Sequence, residues 1–307
     1  KADVLLIAGD LFDTYNPGAE ATELFFRSLK KLAKNGKCPV IAIAGNHDSP
    51  DRIEAPDPLA RECGIVFAGY PDSQITPYKL ESGFEITKSD KGFIEIMIPG
   101  CNYPLRLLLT PYANEYRLKT CLGFQDSEEE LRKVLESQWQ QLADKYCDNQ
   151  GVNLLMSHLF MINKGEIPPD EPDDEKSILH VGGLQTVYTA NIPKQIQYAA
   201  LGHLHRKQVT GSLFQPVVYP GSPLAYSFSE AGSRKSATLV EIEPAKEPQI
   251  KHIPLKSGKT LLRHRTTGID AAIDWLSQNQ DALIELTLIS DDYLGAEDKK
   301  KLYAAHQ

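Results

Sequence analysis

The first 44 residues place two apolar segments on either side of an amphipathic one. Residues 4–8 (VLLIA) and 39–44 (PVIAIA) contain no polar residue, which predicts strands that are buried on both faces. Between them, residues 19–34 carry apolar residues at helical spacing, and Gly36 follows where a helix would end. The predicted apolar face of this helix consists of Ala21, Leu24, Phe25, Leu29 and Leu32. A strand, a helix and a strand in this order predict a right-handed crossover unit, with which a parallel α/β sheet begins.

The middle of the chain continues this pattern. Residues 151–156 and 196–201 predict two more buried strands, and a long helix is expected to open near Ser127. The polar segment 165–176 (GEIPPDEPDDEK) predicts a solvated loop, because its prolines and acids oppose a packed element. Four short apolar segments within residues 208–254 are interpreted as antiparallel strands of a second sheet.

The character of the chain changes near residue 258. A basic Arg-His-Arg segment at 263–265 precedes a predicted helix near 269–279, a strand near 282–290 and a last helix near 296–305. These elements predict a small α/β unit that is appended to the larger domain.

Polar residues follow four of the predicted buried strands, at the point where each strand ends. Ligands of open α/β sheets bind outside the carboxyl ends of the strands, so these positions indicate one shared site. Each piece alone has a plainer interpretation, since Gly-Asp and Gly-Asn pairs are often turns and a lone histidine is often only hydrogen-bonded. The residues are Asp10 and Asp13, then Asn46 and His47, then His158, then His203 and His205.

The distribution of histidines strengthens the interpretation of a shared site. Four of the eight histidines fall just beyond a predicted buried strand, and the other four (His180, His252, His264 and His306) are interpreted as structural or surface residues. A carboxylate, an amide carbonyl and several imidazoles suit Mn²⁺, Fe²⁺ or Zn²⁺ better than Mg²⁺, which prefers oxygen ligands. A carboxylate can also bridge two such ions, and paired ions assist in-line phosphoryl displacement.

The motifs at these strand ends resemble those of the calcineurin-like metallophosphoesterase superfamily. They are Gly-Asp at 9–10, GNHDSP at 45–50, His158 and GHLH at 202–205. The resemblance implies an α/β fold in which a two-layer β-sandwich, flanked by helices, holds two divalent metal ions.

Further motifs are similar to one family of this superfamily, the SbcD nuclease subunits of bacterial SbcC–SbcD complexes. They are GDLFD at 9–13, YPGSP at 219–223 and YSFSE at 226–230, and the resemblance covers about residues 1–255. It implies a cytoplasmic DNA nuclease of double-strand-break repair and recombination. Such a nuclease is an exonuclease on double-stranded ends and an endonuclease on single strands or hairpins. The implied partners are DNA and an SbcC-like coiled-coil ATPase, and the resemblance leaves a homodimer open.

The same resemblance implies domains and residue roles. Residues 1–257 would form the nuclease domain, and residues 258–307 would be part of a DNA-capping domain. His47 would be a catalytic histidine beside the scissile phosphate rather than a ligand, and the metal ions would be two Mn²⁺. Asp10 would bridge the two ions, Asn46, His158 and His203 would complete one, and His205 would serve the other.

The chain departs from the family at one motif. An Asp-x-His at the end of the family's first strand has no counterpart here and would belong upstream of Lys1. Without it, the second ion has two ligands where three or four are normal. The resemblance therefore predicts that this chain lacks the first strand of its nuclease domain.

Composition decides between the remaining classes only weakly. The net charge of −8 disfavours nucleic-acid binding by bulk electrostatics, so DNA binding would need a local basic strip, a partner or metal ions. Five scattered cysteines suit a reducing compartment rather than a disulfide framework, and the sequence contains neither a signal peptide nor a membrane-spanning segment. A phosphomonoesterase or nucleotidase of the same fold is an alternative, and so is a non-catalytic scaffold.

Overall fold

The computed structural model describes residues 2–118, 127–166, 186–290 and 293–306. His180 lies outside these residues, and so does all of the predicted solvated loop except residues 165 and 166. No helix within the described ranges is long and apolar enough to cross a membrane. The described helices are α1 (Ala19–Ala33), α2 (Pro50–Glu54), α3 (Asp57–Ala60), α4 (Glu115–Leu118), α5 (Ser127–Tyr146), α6 (Ile269–Ser277) and α7 (Ala296–Ala305).

Two β-sheets form the larger part of the molecule. The first is parallel and consists of β1 (Leu5–Ala8), β2 (Val40–Ile43) and β3 (Ile65–Ala68). The second is mixed. In spatial order it consists of β11 (Gln208–Gly211), β12 (Pro216–Tyr219), β10 (Tyr198–Leu201), β7 (Val152–Ser157), β6 (Leu105–Thr110), β5 (Phe93–Met97) and β4 (Glu85–Asp90). The strands β12, β10, β7 and β6 run parallel to one another.

The other described strands form three two-stranded sheets. The pair β8 (Met161–Ile162) and β9 (Val187–Tyr188) is parallel, and β13 (Ser236–Glu241) with β14 (Gln249–Pro254) is antiparallel. The parallel pair β15 (Thr260–Thr267) and β16 (Ala282–Ile289) is connected through α6. The appended unit is therefore a β-α-β-α segment, and β15 is a strand that the sequence pattern did not reveal.

Alternating residues of β2 show how the layers pack. Ile41 and Ile43 lie in a cluster with Leu107 and Met156 between the two sheets. Val40 and Ala42 face the other way and pack against α1. On the outer face of the second sheet, α5 buries its apolar side, as its sequence predicts, through Leu131, Leu135 and Trp139. The expected two-layer sandwich with helices on its outer faces is confirmed.

Two strand predictions were wrong. Residues 208–219 do not form a separate sheet with residues 236–254, because β12 pairs in parallel with β10 and extends the sheet of β7. Strand β3 was missed, although it is as short and apolar as β1 and β2, because the period of a short apolar run does not distinguish a strand from part of a buried helix.

The first strand and the first helix also differ from the predictions. Strand β1 is half-buried rather than fully buried, because it is an edge strand and its residues line an apolar cavity of about 1150 Å³ that β13 borders. In α1, Phe25 and Leu29 of the predicted face pack as expected, together with Ala33, whereas Ala21, Leu24 and Leu32 are exposed.

Candidate metal centre

The four predicted strand ends do not belong to one sheet. Strands β1 and β2 lie in the first sheet, whereas β7 and β10 lie in the second. Their carboxyl ends meet, and at Gly202 the approach is so close that an added Cβ would lie 1.7 Å from the carbonyl oxygen of Ala8. Only glycine fits such a contact, so residues from both sheets converge on one place.

Four of the predicted metal ligands come together there. The Asn46 Oδ1 lies 2.9 Å from His158 Nε2 and 3.1 Å from His203 Nδ1. The same His158 Nε2 lies 3.2 Å from Asp10 Oδ2. One ligand atom from each of Asp10, His158 and His203 lies within 4.8 Å of the other two. Both histidines are buried, which keeps bulk water away from this side of the site.

The orientation of His158 is set by the strand that precedes Gly9. The imidazole Nδ1–H donates to the carbonyl oxygen of Ala8 at 2.7 Å, which turns Nε2 toward Asp10 and Asn46. A Cβ on Gly9, whose φ is 91°, would lie 2.1 Å from that Nδ1. The glycine therefore permits both the turn and the imidazole contact.

The donor set fits a divalent cation. With its proton on Nδ1, neutral His158 directs a lone pair at two oxygen acceptors, Asp10 Oδ2 and Asn46 Oδ1, and such a contact requires either a proton or a cation between them. Burial opposes the charged form of His158, but the Asp10 carboxylate, the Ala8 carbonyl and Asp48 together outweigh it and raise the pKa of His158. Contacts of 2.9–3.2 Å between neighbouring donors suit an ion bound at about 2.1 Å.

The pKa values of the other two titratable groups, His203 and Asp10, are both lowered, which leaves the first neutral and the second charged. Burial, together with the nearby His158, lowers the pKa of His203 to about 3, so this imidazole is neutral and able to act as a ligand. Burial alone would raise the pKa of Asp10, but His158 and the His47 amide lower it well below its usual range. The cluster thus offers one carboxylate, one carbonyl oxygen and two imidazoles, of which that of His203 is neutral.

His47, His205 and Asp13 lie outside this cluster of four. The amide of His47 donates to Asp10 Oδ1 at 3.1 Å, and its imidazole is half-buried and close enough to lower the pKa of Asp10. His205 is near enough to lower the pKa of His203, and its Nδ1 lies 3.9 Å from Glu230 Oε2. Asp13 is exposed.

Two residues that the sequence did not single out support the loop of His47. Asp48 is fully buried, and its carboxylate accepts from the amides of Leu11 (2.9 Å), Phe12 (2.9 Å) and Gly45 (2.7 Å). The buried Arg117 donates to the carbonyl oxygens of Gly45 and Asp48, each at 2.8 Å. Asp48 thereby joins the loops that carry Asp10 and Asn46, although it was visible in the sequence only as part of GNHD.

Replacing Arg117 with methionine should lower the free energy of unfolding by about 2–5 kcal/mol, because two buried carbonyls lose their donor. Urea denaturation measures this change. The matched control is Arg263→Met, which removes the exposed pair with Glu285 and should cost about 0–1 kcal/mol. Equal losses in the two variants would show that Arg117 does not support the loop.

A second buried group lies behind His205. The carboxylate of Glu230 is fully buried and is paired with Lys235. It also accepts from Ser222 Oγ at 3.2 Å and from the Tyr226 amide at 2.8 Å. Lys235 Nζ reaches the carbonyl oxygen of His205 at 3.0 Å. These contacts give a structural reason for the YSFSE run, whose Glu230 the sequence did not mark as important.

Two of the remaining described histidines, His252 and His264, have local contacts elsewhere. His252 Nδ1 lies 3.2 Å from Thr238 Oγ1 on the neighbouring strand. The ring of His264 stacks on Trp275 with centroids 4.1 Å apart. These contacts agree with the structural role expected for both residues. Cys38, Cys63, Cys101 and Cys147 are free thiols.

Comparisons with known proteins agree with this geometry. A family model described as calcineurin-like phosphoesterase matches residues 1–207. The SbcD subunit of the SbcCD nuclease from Bacillus subtilis is 34% identical over 312 residues, which cover 100% of this chain and 74% of the relative. The SbcD subunits from Rhodobacter capsulatus (28% identity, covering 90% and 67%) and Escherichia coli K12 (26%, covering 96% and 70%) are also similar. The chain therefore belongs to the calcineurin-like phosphoesterases and, within them, to the SbcD family of nuclease subunits.

Proposed function

We propose that the protein hydrolyses phosphodiesters of DNA as the nuclease subunit of an SbcC–SbcD complex. It would act as an exonuclease on double-stranded ends and as an endonuclease on single strands or hairpins. The observation that carries this proposal is the convergence of Asp10, Asn46, His158 and His203 where the two sheets meet.

The cluster and the neighbouring His205 would hold two divalent ions, for which Mn²⁺ is the preferred candidate. Asn46, His158 and His203 would hold one ion, His205 would hold the other, and Asp10 would bridge them. A mixed set of oxygen and nitrogen donors favours Mn²⁺ over Mg²⁺. The bound ions would supply Lewis-acid polarisation of the phosphoryl oxygens and lower the pKa of water at the site.

Residues of the chain would supply the remaining chemistry. We place the imidazole of His47 beside the scissile phosphate, where it can protonate the departing oxygen or stabilise charge on the phosphorane. Its amide donates a hydrogen bond to Asp10, so its backbone is held in place beside the metal centre. The buried Asp48 on its other side holds the loop in place.

The proposal extends to domains, partner and compartment. Residues 1–257 would form the nuclease domain, and residues 258–307 would belong to a capping domain that contacts DNA. Relatives that are named as components of SbcCD nucleases support an SbcC-like coiled-coil ATPase as the partner. With a net charge of −8, the chain would rely on this partner and on metal ions to hold DNA. The free thiols suit the cytoplasm.

The choice of substrate tests the proposal. With Mn²⁺, the full-length protein should cleave double-stranded ends and single strands faster than it hydrolyses p-nitrophenyl phosphate, because a capping unit is useful only for a long polymer. Parallel assays at equal enzyme concentration measure the ratio of the rates. Efficient hydrolysis of the monoester with no cleavage of DNA would favour the phosphomonoesterase alternative.

A further inference from the structure

Tyr226 presents an aromatic ring to solvent beside the metal centre. Its side chain is exposed to 64%, and its ring centroid lies 5.9 Å from that of His205 at an interplanar angle of 55°. One side of the ring therefore contacts a proposed metal ligand, and the rest remains accessible. An aromatic surface at this position is available to a group that is attached to the phosphodiester.

The position of Tyr226 is fixed by the same ion pair that supports His205. The Tyr226 amide donates to Glu230 Oε2 at 2.8 Å, and Glu230 is paired with Lys235. Lys235 Nζ also donates to the His205 carbonyl oxygen at 3.0 Å. A tyrosine on a fixed backbone has only two side-chain torsions, so it loses little conformational entropy when a ligand stacks on it.

The chemistry of the exposed ring points to a base rather than to a phosphate. A nucleobase is uncharged and stacks on aromatic faces, whereas a tyrosine ring offers no positive charge to a phosphate. Stacking would also give a chain of net charge −8 a contact with DNA that needs no positive charge.

We propose that Tyr226 is a nucleobase-stacking residue that binds an unpaired base next to the phosphodiester at the metal centre. The inference rests on the proposed nuclease function and adds the recognition of unpaired nucleotides to it. Each base stacked on an aromatic side chain strengthens binding by about tenfold or more.

Fluorescence anisotropy with Mn²⁺ and phosphorothioate-linked strands, which resist cleavage, tests the proposal. The protein is titrated with a labelled single strand and with the same strand made of abasic residues. Tyr226→Ala should weaken binding of the normal strand about tenfold and change binding of the abasic strand less than twofold. Tyr226→Phe should behave like the wild type because it keeps the ring.

Phe214→Ala is the matched control. Phe214 is exposed to 72% and precedes β12, whose parallel alignment with β10 places Phe214 at the end of the sheet opposite the metal centre. This variant should bind both strands as the wild type does. Tyr226→Ala should bind Mn²⁺ with the affinity of the wild type. A Mn²⁺ titration therefore distinguishes base stacking from a role in which the ring only covers His205.

Two kinds of outcome overturn the proposal, and they differ from each other. Equal losses of affinity for both strands, or a loss of Mn²⁺ binding, would show that Tyr226 only supports the structure, and the nuclease function would stand. A wild-type protein that binds neither strand and cleaves no DNA would contradict the nuclease function as well.

Discussion

Replacing His47 with asparagine should leave the metal content of the protein unchanged and slow DNA cleavage by about 10²–10⁴-fold. A positioned acid typically contributes a rate factor of this size, and asparagine cannot donate a proton to the departing oxygen. The structure allows the separation because the backbone of His47, not its imidazole, is bonded to Asp10. Cleavage assays and elemental analysis of the same preparation measure the two quantities.

The neighbouring residue is the control for this prediction. Asn46 Oδ1 lies within 3.1 Å of a nitrogen of each histidine of the cluster, so Asn46→Ala should lose metal first and activity as a consequence. His47→Asn should still bind DNA as the wild type does. If elemental analysis finds one ion missing from His47→Asn, His47 is a ligand and the catalytic role is wrong.

Removing either buried histidine of the cluster should produce the second large effect. His158→Ala and His203→Ala each take away one nitrogen donor, so Mn²⁺ affinity should fall by more than the roughly 10–100-fold that is typical for loss of a supporting residue. Isothermal titration of the full-length protein with Mn²⁺ measures the affinity.

His252→Ala serves as the control for these variants. His252 belongs to β14 and contacts Thr238 there, so its removal should leave Mn²⁺ affinity at the wild-type value. Circular dichroism of all three variants checks that they are folded. Unchanged affinity in both His158→Ala and His203→Ala would rule out the proposed ligand set.

Local patterns in the sequence were sufficient for most of the elements. Alternation and helical spacing depend on neighbouring residues, which is why β2, β7 and α5 lie close to where they were expected. The same reasoning was only partly right for the face of α1, because periodicity allows several overlapping faces and the partner sheet selects one. Leu24 fits the period and is nevertheless exposed.

Assignment of strands to sheets required the tertiary structure. Residues 208–219 have the composition of a short hairpin, and a hairpin can pair with more than one edge. Here β12 pairs with β10, a contact that apolar content cannot predict. For the same reason, the sequence could not show that the metal centre lies where two sheets meet rather than along one.

By itself, the sequence determined which residue types end the buried strands, and hence the chemistry available there. Asp10, Asn46, His158 and His203 could be chosen because such residues recur together after four apolar strands, although each alone is as easily a turn or a hydrogen-bonded residue. Only the tertiary structure decided what holds them in place. Asp48 acts through contacts between segments far apart in the chain, and such contacts leave no local pattern, because a buried carboxylate is stabilised by whichever donors the fold brings to it.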